Sequence, residues 1–144
     1  MIKISKKVEY ALIVLKHFID SPSASLLTAR NISDLYRIPF DTTAKVMQKM
    51  NNSNLLESIQ GVNGGYRVCK DLNTVNYLQL TEIVEGKAIN ETCSDQNCQI
   101  LDTCNISEPI QRLNQHIIYY FKGLSIEDLL NDGSILNLKN QVRT

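Results

Sequence analysis

Five residues, Gly61-Val62-Asn63-Gly64-Gly65, narrow the folds open to this chain more than any other feature. Leu55-Leu56-Glu57-Ser58-Ile59-Gln60 before them and Tyr66-Arg67-Val68-Cys69 after them read as two short strands. Glycine and asparagine supply the positive φ that a hairpin tip needs, so the stretch predicts an antiparallel hairpin with few bulky side chains at its tip.

The segments ahead of the hairpin are helical. From Ile4 to Ile19, apolar residues Ile4, Val8, Ala11, Leu12, Leu15 and Phe18/Ile19 recur at helical spacing, Ser5 is placed to cap the start, and Asp20-Ser21-Pro22-Ser23 ends the run. A short helix follows from about Thr28 to Tyr36, with Ile32 and Leu35 expected to face inward. A third runs from about Pro39, which suits a first helical turn, to Asn51; it is expected to bury Phe40, Thr43, Val46/Met47 and Met50. Its other face carries Asp41, Thr42, Lys45, Gln48 and Lys49. Two short, tightly joined helices, the second polar and basic outside, describe a helix-turn-helix. Many small helical domains share that pattern, but a Gly-rich hairpin directly after it gives the order of a winged helix.

After the hairpin, Tyr77 to Glu85 reads as a fourth helix stopped by Gly86. Ser107-Glu108-Pro109 opens a long helix, with Ser107 as cap, whose apolar positions Ile110, Leu113, Ile117, Phe121 and Leu124 step by three or four. That stripe calls for a second surface, and a symmetric dimer supplies one; packing back on the first helix is the alternative. Ser125 to Leu130 begins a last short helix. The expected organisation is mainly α with a small β-hairpin: a winged helix-turn-helix over 1–86, a cysteine-rich loop over 87–106, a dimerisation helix and short terminal helix over 107–131, and a flexible tail over 132–144.

Charge separates the two halves. Residues 1–70 hold ten Lys/Arg against five Asp/Glu, and residues 71–144 hold five against ten, so the overall charge of zero conceals a basic half suited to a polyanion. The early apolar run Ala11 to Leu15 is soon broken by Lys16, His17 and Asp20 and has no small-residue cleavage site after it. A cytoplasmic protein without signal peptide or membrane span is expected.

Three of the four cysteines, Cys93, Cys98 and Cys104, fall within twelve residues as C-x4-C-x5-C, in a stretch without Pro or Gly and with little apolar content. In a reducing compartment, clustered cysteines are more often metal ligands or redox groups than structural disulfides. Converging thiolates here would make a metal site lacking one ligand. Cys69 stands apart and is expected to be a buried small hydrophobe at a strand end.

The combination resembles the iron–sulfur winged-helix transcriptional regulators of the IscR, NsrR and RirA type. The matching residues are Lys6-Lys7-Val8-Glu9-Tyr10-Ala11, Ile38-Pro39 with Ala44-Lys45, Gly61-Val62-Asn63-Gly64-Gly65-Tyr66, and Cys93, Cys98 and Cys104, covering about residues 1–131. The resemblance implies a homodimeric, double-stranded-DNA-binding regulator, expected to be a repressor, whose cysteines hold an iron–sulfur cluster that governs operator affinity. A 2Fe–2S cluster is preferred to 4Fe–4S. Three thiolates with a weaker fourth ligand also make chemical sense as a labile, tunable site. Where IscR-like members carry a histidine beyond the last cysteine, this chain has Ser107; Glu9 matches the carboxylate that completes the site across the dimer in NsrR-like members. Glu9 is therefore the expected fourth ligand, pairing with Lys6 or Lys7 being its alternative role; His17 and His116 are weaker ligand candidates. The first cysteine gap is one residue shorter than in IscR, and Ala44 replaces a recognition-helix glutamate, so base preference should differ. Thr42 and Lys45 are expected on base edges, Lys49, Arg67 and the wing-tip amides on phosphates, with Asp41, Gln60, Asn63 and Gly64 completing the DNA-facing set. Ile110, Leu113, Ile117 and Phe121 form the expected dimer interface.

Two other readings stay open: a regulator of the same fold sensing by thiol oxidation or a protein partner, and a structural-zinc interaction module. An enzyme acting on a small-molecule substrate is not expected, for the chain shows no nucleophile–base motif, phosphate-binding Gly loop or acid pair.

Overall fold

The first two helices start on the polar side chains that their sequences offer. In the computed structural model, which describes residues 4–22, 26–87 and 98–131, Ser5 Oγ accepts from Val8 N (3.3 Å) to open α1, Lys6–Asp20. Thr28 and Asn31 form a reciprocal capping box that opens α2, Ala29–Tyr36. Arg37 then takes a left-handed conformation (φ 54°), and Ile38 N donates to Ser33 O (3.1 Å), turning the chain into α3, Phe40–Asn52. Pro39 precedes that helix without a side-chain cap.

Strands β1, Leu56–Ile59, and β2, Gly65–Val68, pair antiparallel from Leu56↔Val68 to Ile59↔Gly65. A lone two-stranded hairpin is marginal in water. Here Leu27 adds a third edge, its N–H donating to Tyr66 O (3.0 Å) and its carbonyl accepting from Tyr66 N (2.8 Å). Gly65 must be small for this: a Cβ there would lie 3.0 Å from the Leu27 carbonyl.

Beyond the hairpin, a short turn of 3-10 helix, Leu72–Thr74, leads to α4, Tyr77–Glu85, opened by an Asn76–Gln79 capping box and closed by Gly86 (φ 75°). A second such turn, Leu101–Thr103, precedes α5, Ser107–Gly123, and α6, Ile126–Leu130, follows under the Ser125 cap. Tyr77 N donates to Leu124 O (2.8 Å) and Ile126 N to Val75 O (2.8 Å), so the chain beyond α5 returns to the wing-side scaffold. One core results, joining Val8, Ala11 and Leu15 of α1, Ile32 of α2, Val46, Met47 and Met50 of α3, Leu80 and Val84 of α4, and Leu124 and Ile126.

Four expectations need correction. Leu35 is 61% exposed because the inward stripe of α2 runs through Ala29, Ile32 and Ser33. Phe40 is 37% exposed: the stripe Thr43–Val46/Met47–Met50 is buried, but Phe40 stands at the first turn of α3, with the Arg30 guanidinium over its ring. Cys69 ends β2 as expected yet is exposed, its thiol donating to Asn54 O (3.1 Å). Ile106, not Ser107, precedes α5, and no side chain caps that helix. The expected flexible tail over 132–144 lies outside the described residues.

Candidate DNA interface and cysteine segment

Helix α3 turns a polar face outward. Asp41, Lys45 and Gln48 are exposed and Thr42 is half-buried. Thr42, Lys45 and Lys49, together with Lys7 of α1 and Val84 of α4, line one hollow of about 230 Å³. The sequence did not place Lys7 in the DNA-facing set; the Lys6-Lys7 pair at the start of a basic half was the available signal.

The two basic residues expected on phosphates, Lys49 and Arg67, are engaged within the chain. Lys49 Nζ donates to Val84 O at 2.6 Å, which places a cation on the carboxyl end of α4, where the helix dipole favours it. Glu85 accepts a hydrogen bond from Ser5 Oγ and lies 3.8 Å from Lys7 Nζ. The end of α4 is thereby tied to both α1 and α3, one residue before the chain leaves through Gly86. On the wing, Arg67 reaches across the strands to Glu57 with both contacts at 2.8 Å. Gln60, Val62 and Asn63 are exposed around the tip, and Gly64 is packed so closely under Ile59 O that no side chain fits.

Of the expected metal ligands, Cys98 is exposed, Cys104 is half-buried and both are free thiols. They bracket the turn Leu101–Thr103, with Leu101 N donating to Cys98 O (3.2 Å) and Cys104 N to Leu101 O (3.4 Å). Cys93 lies outside the described residues. Two unbridged thiols on an accessible turn are the soft donor type that an iron–sulfur cluster takes. Glu9 carries a salt bridge to Lys6 (2.7 Å) in the first turn of α1, and this hydrogen bond, then the charge attraction, holds the Lys6 ammonium above its usual range. Among the described residues, no three metal-ligating side chains gather in one place. His17 Nδ1 bonds Tyr36 Oη (2.8 Å) and His116 Nδ1 bonds Arg112 O (2.7 Å).

Helix α5 buries none of its seventeen residues. Ile110, Ile117 and Phe121 are half-covered, Phe121 through its ring 4.7 Å from that of Tyr77, and Leu113 is 55% exposed. Among the described residues, no helix is long and apolar enough to cross a membrane.

Known proteins resemble this chain. The HTH-type transcriptional regulator NsrR of Shouchella clausii is 22% identical over 139 residues, covering 94% of this chain and 93% of its own. The structure of CymR, the global cysteine regulator of B. subtilis, matches with a TM-score of 0.68 at 17% identity, covering 90% of this chain and 97% of that one. IscR of T. potens matches with a TM-score of 0.65 at 11% identity, covering 99% and 92%. At such identities the structures establish a common winged-helix fold. Residues 4–132 match the family described as Rrf2, iron-dependent transcriptional regulator, and this near-complete match settles the class: the chain belongs to the Rrf2 family of transcriptional regulators.

Proposed function

We propose that this chain is a homodimeric repressor whose grip on its operator is set by an iron–sulfur cluster bound by Cys93, Cys98 and Cys104, with Glu9 of the twofold partner as fourth ligand. The observation that carries the reading is the neighbourhood of two free thiols and a helix with no fully buried residue: only two residues separate Cys104 from α5. A dimer formed through Ile110, Leu113, Ile117 and Phe121 covers that helix and brings a second α1 within reach. Glu9 then has two uses, exchanging Lys6 for iron.

The cluster, when bound, supplies a redox-sensitive and removable charge; the rest is done by the chain. Thr42 and Lys45 meet base edges, Lys7 the adjoining phosphates, and the tip residues Gln60, Asn63 and Gly64 the flanking groove. Lys49 and Arg67 hold these parts in place, fixing α3 to α4 and stiffening the wing. Asp41 discriminates, its carboxylate favouring a cytosine amino group and repelling misplaced phosphate. Two recognition helices must meet half-sites about 34–36 Å apart, so a change at the dimer seam alters affinity.

Anaerobic purification tests the reading. Visible absorption with iron and acid-labile sulfide, and unequal operator affinities of loaded and stripped protein, are expected; a colourless protein free of both refutes the cluster. A second reading, thiol oxidation as the trigger, draws on the exposed Cys98 thiol and on the likeness to CymR. It predicts a colourless protein whose DNA binding responds to peroxide and dithiothreitol.

A further inference from the structure

We propose that Arg30 and Phe40 form a grip for the DNA backbone at the leading end of the recognition helix, with a phosphate of the duplex as its occupant. The proposal rests on the DNA-binding reading and adds a contact absent from it. The Arg30 guanidinium carbon lies 4.0 Å from the centroid of the Phe40 ring. Arg30 stands exposed in the first turn of α2, and Phe40 is the first residue of α3. A phenylalanine left 37% exposed at the end of a helix contributes little to a core. It is well placed as a platform.

A stacked guanidinium spends only its face on the ring, and its N–H donors, which lie in the plane, stay available for a phosphate. Two other basic groups of the DNA-facing set are held within the chain, Lys49 on Val84 O and Arg67 on Glu57. Stacking also restricts a long side chain before any ligand arrives, which lowers the entropy lost on binding. In helix-turn-helix docking, the first helix crosses the backbone while the amino end of the second reaches base edges. A cation on the first turn of α2 that touches the first residue of α3 therefore sits where the backbone passes. The basic character of residues 1–70, ten Lys/Arg against five Asp/Glu, suits that partner.

The test measures binding of the full chain to labelled random-sequence duplex DNA across a salt series, for wild type, Arg30→Ala, Arg30→Lys and Phe40→Leu, with thermal unfolding of each as the folding control. Arg30→Ala should bind several-fold more weakly and reduce the slope of log K against log salt by about 0.9 per protomer. Arg30→Lys should keep the slope but lose affinity, because an ammonium neither stacks nor forks. Phe40→Leu should also weaken binding at an unchanged slope. A wild-type slope and affinity in Arg30→Ala overturns this proposal alone. Failure of the wild type to bind any duplex removes the DNA-binding reading, and the grip falls with it.

Discussion

Replacing Lys49 by methionine separates two roles that a lysine on a recognition helix can have. Its ammonium donates to Val84 O at 2.6 Å, and its stem lies between α3 and α4. A hydrogen bond from a charged donor contributes about 1.5–3 kcal/mol. The Val84 carbonyl is at a helix end beside an open hollow, so water replaces part of what is lost. The methionine stem keeps the packing. The net cost should be about 1–2 kcal/mol, which in a chain of this size lowers the thermal midpoint by about 3–7 °C. Circular dichroism on the full chain measures that shift. DNA titrations over a salt series measure the other quantity, and the slope should match the wild type because no phosphate contact has gone. An unchanged midpoint with a slope reduced by about one per protomer would show that Lys49 leaves Val84 to meet DNA, and the strut would be refuted.

Gly64→Ala places a Cβ against Ile59 O and 2.9 Å from Gly61 O, both backbone atoms, so the tip must reopen; a loss of about 1–3 kcal/mol in stability and a larger loss in DNA affinity are expected by unfolding and gel-shift titration. Burial pushes the Tyr77 phenol above its ordinary value of 10.0. The folded chain then keeps a proton that the unfolded chain releases, so this contribution is complete below pH 10 and is lost as pH rises further; Tyr77→Phe should show a shallower alkaline decline in urea unfolding. Leu113→Asp should convert a dimer into a monomer by light scattering with little change in the unfolding of each chain, since Leu113 is already 55% exposed within one chain. Persistence of the dimer would place the interface elsewhere.

The hairpin, the helix order and most ends of the helices were legible along the chain. Capping and turn chemistry work over three or four residues, so Ser5, Thr28, Gly86 and Ser125 announce their roles wherever the helix later packs. The side chains whose placement escaped are those whose partners lie far along the chain. Lys49 and Val84 are thirty-five positions apart, and only packing α3 against α4 brings them together. Periodicity at Leu35 and Phe40 offered inward faces, but the neighbouring elements decide how far along a helix the cover extends.

For the candidate site, the sequence by itself determined the donor types: three thiols in one segment, a basic recognition face, and a bare wing tip. Such properties belong to residue identity and spacing, which folding does not alter. Only the tertiary structure decided which cations are held and which lie open, why Arg30 stacks on Phe40, and how Leu27 completes the wing. Those outcomes depend on distances across the core, and a linear string carries no distance between elements until they pack.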